Sequence, residues 1–459
     1  MKYNVVNTKN IHSTQRFDPS FHLSDAITLR EKVENVPFEK VSIADATENV
    51  FLGNIFSRIF VKDAEHGIPY LAASDTVLAN LDTGRYLSKK QASALSYLML
   101  KKDWIVVTCS GTIGNVTYTN SSFENHIATH DLIRIVPNDE KNLRGYLYAF
   151  LASKYGYNQL TQSQFGGVVK HINAEHVRNI KVPCFAEFFQ EEVNDLVQEA
   201  AKLREEAASA LEKAKQTLKS FINADFVKNN YKTSIVKSRN IFSSLQHRLD
   251  PPALMNDGVV AMDKISSRMS TKIIADINAK VSRPGIFKRI YVENGIPYIK
   301  GSEIFLNNPF RRCEHLSRTR TPFIDEMTLY EGQILITCAG SVGNIKMITK
   351  EYEDQKAIGS QDIIRLISND ELFTKEYLFI YLQMPFVNDY IQSMKYGSVI
   401  ERIEPFHVES IPVVTPTKEL SEEISAIVRQ YMDCTYRAFN AEGKAIQMVE
   451  QEIEKWNKH

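Results

Sequence analysis

The run Val107-Thr-Cys-Ser-Gly-Thr-Ile-Gly-Asn115 returns further along the chain as Ile336-Thr-Cys-Ala-Gly-Ser-Val-Gly-Asn344. Each begins in a β-rich apolar stretch, Trp104–Thr108 and Gln333–Thr337, and ends at a glycine turn. The match is not isolated. Arg16-Phe-Asp-Pro19 recurs as Arg248-Leu-Asp-Pro251, and Gly67-Ile-Pro-Tyr70 as Gly295-Ile-Pro-Tyr298. Asp131-Leu-Ile-Arg134 recurs as Asp362-Ile-Ile-Arg365, Tyr146-Leu147 as Tyr377-Leu378, and His176-Val177 as His407-Val408. The offset stays between 228 and 232 residues and is constant at 231 from Asp131 onward. Six matches in one order make the chain an internal duplication. The period is far longer than a solenoid repeat, so each copy is expected to be a domain.

Within each copy, strands are expected at the two runs above and at Leu132–Val136 and Ile363–Ile367, with short helices at Leu143–Leu151 and Phe373–Leu382. A long helix closes each copy. Glu187 to Phe221 contains neither glycine nor proline, and its apolar residues Val193, Val197, Ala200, Ala207, Leu211, Ala214, Leu218 and Phe221 follow a heptad frame broken at Arg204. Lys418 to Trp456 repeats the frame with Ile424, Val428, Tyr431, Ala438, Ala445, Val449 and Trp456. Such helices pack on their own domain, on each other or on a partner. The expected fold is α+β: two pseudo-two-fold-related α/β domains separated by two long antiparallel coiled-coil helices. The expected boundaries are 1–185 for the first domain, 186–222 for the central helix, 223–245 for a connector, 246–416 for the second domain and 417–459 for the last helix.

Composition narrows the function. The 459 residues are 43% hydrophobic and 24% charged, a globular balance. No apolar run approaches a membrane span, and Met1–Ile11 lacks the apolar core of a secretion signal. The five cysteines include no Cys-x-x-Cys, so neither a disulfide framework nor a zinc site is indicated. A cytoplasmic protein without membrane attachment is expected. Lys+Arg and Asp+Glu both number 55, so a nucleic-acid binder would need its positive charge on one face or phosphate contacts from a partner. No Gly-x-Gly, Walker A, His-Glu-x-x-His or Gly-x-Ser-x-Gly pattern occurs. Asp250-Pro-Pro-Ala253 superficially resembles the Asp-Pro-Pro-aromatic motif of amino-methyltransferases, but Ala253 is not aromatic and the matched Asp18-Pro-Ser-Phe21 lacks the second proline. No catalytic, metal or cofactor site is therefore assigned to this chain.

Two similar heads on a helical spacer suit duplex DNA, whose half-sites lie at fixed helical intervals. The glycine pairs Gly111/Gly114 and Gly340/Gly343 read either as plain tight turns or as close backbone approach to phosphates. In the second case Ser110, Thr112 and Asn115, with Ser341 and Asn344, are polar contacts. A KH-type RNA loop is disfavoured, because strands rather than helices precede these glycines. The runs Gln162–His171 and Met394–Arg402 fall at matched positions and offer Gln164, Lys170 and His171 against Lys395, Tyr396, Ser398 and Arg402, unless both are solvated loops. The basic stretch around Arg311 and Arg312, with Lys300 and Ser302 before it, reads as a phosphate strip. His130 and Gln361 are matched in position but not in chemistry, as base-reading residues of two different heads would be. His176 and His407 recur identically and read as structural.

The glycine-loop segments, the Gly-Ile-Pro-Tyr elements and the Arg-Phe-Asp-Pro and Arg-Leu-Asp-Pro openings resemble the signature of type I restriction–modification specificity subunits. The resemblance covers essentially the whole chain: recognition domain, long helix, recognition domain, long helix. It implies that each target-recognition domain reads one half of a split, asymmetric DNA sequence, and that the helices form a coiled coil setting the spacer. It further implies two methyltransferase subunits that flip out and methylate adenine using S-adenosylmethionine. An ATP-driven, Mg-dependent translocase and nuclease subunit would join for restriction. The chain departs from the family's Pro-Pro-x-x-Glu-Gln helix entry, having Pro183-Cys-Phe-Ala-Glu-Phe-Phe-Gln190 and Pro412 through Pro416 to Glu423. A type IIB specificity subunit would look similar, and a two-headed protein-interaction scaffold is the rival reading.

Overall fold

The computed structural model describes residues 8, 26–138, 143–162, 171–223, 241 and 248–457. The chain divides into two units, Met1–Glu205 with Arg437–His459, and Glu206–Tyr436.

In the first unit, strands β1 (Lys40–Ser42) and β10 (Lys181–Pro183) pair antiparallel. A four-stranded antiparallel sheet has the order β2 (Thr47–Leu52), β9 (Leu132–Pro137), β6 (Ile105–Thr108), β7 (Val116–Tyr118). A smaller sheet has the order β3 (Phe60–Val61), β5 (Tyr86–Ser88), β4 (Gly67–Leu71), β8 (Ile127–Ala128), its last pair parallel. Strand β6 is buried along its whole length because both its faces are covered. Ile105 and Val107 join a large core with the helix Arg144–Ala152, buried from Gly145 onward, while Val106 joins a second core with Leu71 and Phe123. An unbroken apolar run, rather than an alternating one, is the consequence.

The second unit repeats this strand for strand: β11 (Thr271–Ile273) with β20 (Pro412–Val414); β12 (Ala279–Ser282), β19 (Ile363–Ser368), β16 (Ile334–Thr337), β17 (Ile345–Met347); and β13 (Tyr291–Val292), β15 (Glu314–Leu316), β14 (Ile296–Ile299), β18 (Ile358–Gly359), again with a parallel last pair. Even the register agrees. Val107 lies between Ile133 and Val116, and its counterpart Ile336 between Ile364 and Ile345.

The Asp-x-Ile-Arg repeat proves to be architectural. Arg134 and Arg365 are fully buried, and among the described residues neither pairs with a carboxylate. Arg134 donates to the carbonyls of Leu132, Leu98, Ala128 and Thr129 at 2.9–3.2 Å, and Arg365 to those of Ile363, Gly359, Met327 and Ser360 at 2.9–3.5 Å. Burial pushes both guanidinium groups down to about 10, which leaves them charged at neutral pH. Each ties its own antiparallel sheet to the strand β8 or β18 beside it.

The long helices span Glu187–Ile222 and Lys418–Lys455. In the first unit they pack on each other and on the domain at once: Val193, Val197 and Ala201 share a core with Ala445, Val449, Ile453 and the helix Arg144–Ala152. Glu192 meets Lys444 and Glu199 meets Arg437, so the two run in opposite directions there. The heptad break at Arg204 is filled from the other helix by Glu442, 2.9 Å away, whose carboxylate also accepts from Tyr148 Oη. In the second unit Ile424, Val428 and Tyr431 are buried, and Tyr431 stacks on Phe379. At the far ends the frame drifts: Ile222 is buried beyond Phe221, and Ile453 is buried while Trp456 is partly exposed beside Phe38. No helix among the described residues is long and apolar enough to cross a membrane.

Candidate nucleic-acid interface

The glycine loops are built by their own first residues. Thr108 N–H donates to Asn115 O and Gly114 N–H returns to Thr108 O, at 3.0 and 2.9 Å. The buried Thr108 hydroxyl donates to Thr112 O and accepts from Asn115 N–H. Thr337 makes all four of these bonds with Asn344, Gly343 and Ser341. All four glycines have positive φ, between 70° and 87°, the backbone conformation a tight turn needs. Their surroundings differ. A Cβ on Gly114 would meet Thr161 at 2.9 Å and Tyr157 at 3.0 Å, and one on Gly343 would meet Gln392 at 3.0 Å. A Cβ on Gly111 or Gly340 would meet nothing within 4 Å. The second glycine packs on the helix Lys154–Gln162 or Pro385–Ser393, and the first faces open space.

Other matched elements gather at the same end of each main sheet, where β6 ends, β9 begins and β2 ends. Ser110 Oγ donates to Asp131 Oδ1 at 2.7 Å. His171 forms a bridge with Ser110, and Arg402 with Ala339. The neighbouring Ile172 and Ile403 N–H groups donate to Cys109 O and Cys338 O, both at 3.0 Å. In the second copy the intervening residues form a small hairpin: Tyr396 and Arg402 exchange backbone hydrogen bonds, Gly397 has a φ of 104°, and Ser398 and Val399 are exposed at its tip. Lys395 pairs with Glu401, and Tyr396 Oη donates to Glu404 at 2.7 Å. Gln164 and Lys170 of the first copy lie outside the described residues.

The hairpin's base explains the Arg-Leu-Asp-Pro motif. Arg248 pairs with Asp250 and donates to the carbonyls of Ser393 and Lys395 at 2.9 and 2.7 Å, while Pro251 opens a short helix. Asp250 is thus engaged as a clip. His176 and His407 are structural as read: the Nδ1 of each accepts the N–H of its own helix cap, Asn173 at 3.4 Å or Glu404 at 2.9 Å. Burial holds His407 below the usual imidazole range, in keeping with an Nδ1 that must stay unprotonated.

Not every candidate converges on the loops. Lys300 is held by Glu314 at 2.7 Å, and Ser302 precedes the short turn Glu303–Phe305 without a side-chain capping bond. Arg311 and Arg312 stand in the loop before β15, where Asn308 Oδ1 accepts from Arg311 N–H. His130 is half-buried against the Phe56 ring, and Gln361 Oε1 accepts from Phe287 N–H at 3.3 Å. Both therefore support the segment following β2 or β12. That segment holds Arg58 and Arg289, which the reading of the sequence passed over. The signal was present: Ile55-Phe-Ser-Arg-Ile-Phe60 recurs as Ile286-Phe-Lys-Arg-Ile-Tyr291 at the same offset of 231.

The family model for the type I restriction modification DNA specificity domain matches residues 36–184 and 270–445. The crystal structure of a type I restriction–modification system S subunit from M. genitalium is similar at 13% identity, with 92% of this chain and 96% of that chain covered and a TM-score of 0.37. That of the HsdS subunit from Thermoanaerobacter tengcongensis is similar at 15% identity, with 93% and 95% covered and a TM-score of 0.27. No curated protein matches the chain.

Proposed function

Because the chain belongs to the family of type I restriction–modification DNA specificity subunits, we propose that each of its two modules reads one half of an asymmetric, bipartite DNA site. The modules so assigned are 1–185 and 246–416. The central helix 186–222 and the last helix 417–459, with the connector 223–245 leading into the second module, are the remaining parts, and the two helices set the spacer between the half-sites. One observation carries the reading. The two modules agree to the hydrogen-bond register and present the same open glycine, yet the side chains bridged to their glycine loops differ, His171 against Arg402. Like grips with unlike side chains suit two half-sites that share a backbone and differ in bases.

The chemistry then belongs to partners. Two modification subunits would bind S-adenosylmethionine and methylate a flipped adenine in each half-site. Restriction and translocation subunits would use ATP and Mg, all of this in the cytoplasm where host DNA lies. With net charge zero, this chain leaves part of the phosphate neutralisation to those subunits.

Long-read sequencing of host DNA for modified bases, with and without this gene, tests the proposal. Loss of methyladenine at one split motif is expected. An unchanged methylome in a strain expressing the partner subunits would rule it out.

A further inference from the structure

The segment between β2 and β3, Ile55–Phe60, and its counterpart Ile286–Tyr291 pose a physical question. Two diverged copies keep buried residues because packing demands them. Ile55 and Ile286 are 86% and 76% exposed. No packing accounts for isoleucine at both positions, and an interface would.

The arginines beside them are held alike. Arg58 Nε donates to Tyr70 Oη at 2.6 Å, and its Nη2 donates to Thr129 at 3.1 Å and lies 3.8 Å from Asp131. Arg289 Nε donates to Tyr298 Oη at 2.8 Å, with Nη2 3.4 Å from Asp362. Each tyrosine comes from a Gly-Ile-Pro-Tyr repeat and each aspartate from an Asp-x-Ile-Arg repeat, which gives those motifs a second purpose. Among the described residues, Nη1 of neither arginine makes a hydrogen bond. Each guanidinium is therefore oriented on one edge and open on another.

We propose that Ile55–Phe60 and Ile286–Tyr291 are a duplicated DNA-backbone clamp. Arg58 and Arg289 each bind a phosphate, and Ile55 and Ile286 pack on the adjoining sugars. The proposal rests on the DNA-reading function above. What two modules hold in common must meet what two half-sites hold in common, and that is the sugar–phosphate backbone. A fixed cation with a free donor edge suits a phosphate oxygen. The unlike residues at the same sheet end are left for the bases.

The test uses the full chain assembled with its modification subunits, titrated with its own site and with a scrambled duplex over a range of salt. The double variant Arg58→Gln/Arg289→Gln should lose roughly tenfold or more in affinity for both duplexes, with the log–log salt slope shallower by about 1 per arginine. The Ile55→Ser/Ile286→Ser pair replaces two largely exposed hydrocarbon side chains with small polar ones and so does not depend on how the arginine variants fold. It should weaken both duplexes with the slope unchanged. Loss confined to one half-site sequence would overturn the backbone assignment in favour of base reading. Unchanged DNA affinity would overturn the clamp, and with weakened subunit assembly would make the segment a protein-docking surface. Failure of the unsubstituted complex to prefer its site over the scrambled duplex would instead overturn the specificity reading itself.

Discussion

Gly111 and Gly114 share a backbone conformation and differ in what surrounds them, and that difference divides their roles. At positive φ a Cβ costs about 1–2 kcal/mol in either place. At Gly114 the methyl group would also drive into Tyr157 and Thr161, a further cost of about 1–3 kcal/mol. Gly114→Ala is therefore expected to destabilise the protein by about 2–4 kcal/mol in urea denaturation, and Gly111→Ala by the smaller amount alone. Gly111→Ala should weaken DNA binding out of proportion to its stability loss, because its methyl group stands on the open face. Equal destabilisation by the two would sink the division. The buried arginines teach a related lesson. Asp-x-Ile-Arg places a charge in the middle of an apolar strand, and Arg134 and Arg365 satisfy backbone carbonyls inside the fold. Arg58 and Arg289 are accessible where Arg134 and Arg365 are not, and nothing local in the sequence ranks them above Arg134.

Among the elements, the long helices were the most legible, since a heptad frame free of glycine and proline over Glu187–Phe221 has few other readings. The break at Arg204 was legible only as a break. Its counterpart Glu442 occupies a seam position on a helix more than two hundred residues away, and their ion pair fills one polar layer of the seam. The Glu442 side chain is 4% exposed, and Tyr148 depends on it as well. Glu442→Leu alone strands the Arg204 charge and should cost about 3–5 kcal/mol. Arg204→Leu/Glu442→Leu together should recover most of that loss. A double-mutant cycle in chemical denaturation checks this, and additive losses would show that the two side chains do not act as a pair.

At the scale of the whole molecule, the proposed function makes the long helices responsible for the spacer. Deleting one heptad from each removes roughly 10 Å of helix at about 1.5 Å per residue. The methylated site should then keep both half-sequences and lose about three base pairs between them. Methylome sequencing of a strain with the shortened chain reads this directly, and an unchanged spacer would remove the helices from that role. Exchange of recognition between modules belongs to the same scale: the matched sheets and glycine loops would stay, and only the residues that differ at the loop ends would move.

The duplication, the strand-to-glycine turns and the long helices were settled by the amino-acid sequence alone. Each depends on local chemistry: β-branched runs, backbone freedom at glycine, and apolar spacing along one helix face. Which glycine is open, why Arg134 is buried while Arg58 is exposed, what fills the seam at Arg204 and what His130 and Gln361 support were decided only by tertiary structure. In each case the deciding partner lies tens to hundreds of residues away, as Thr161 does for Gly114, Leu98 for Arg134, and Glu442 for Arg204. A side chain's role follows from what the fold brings against it, and local spacing does not encode that.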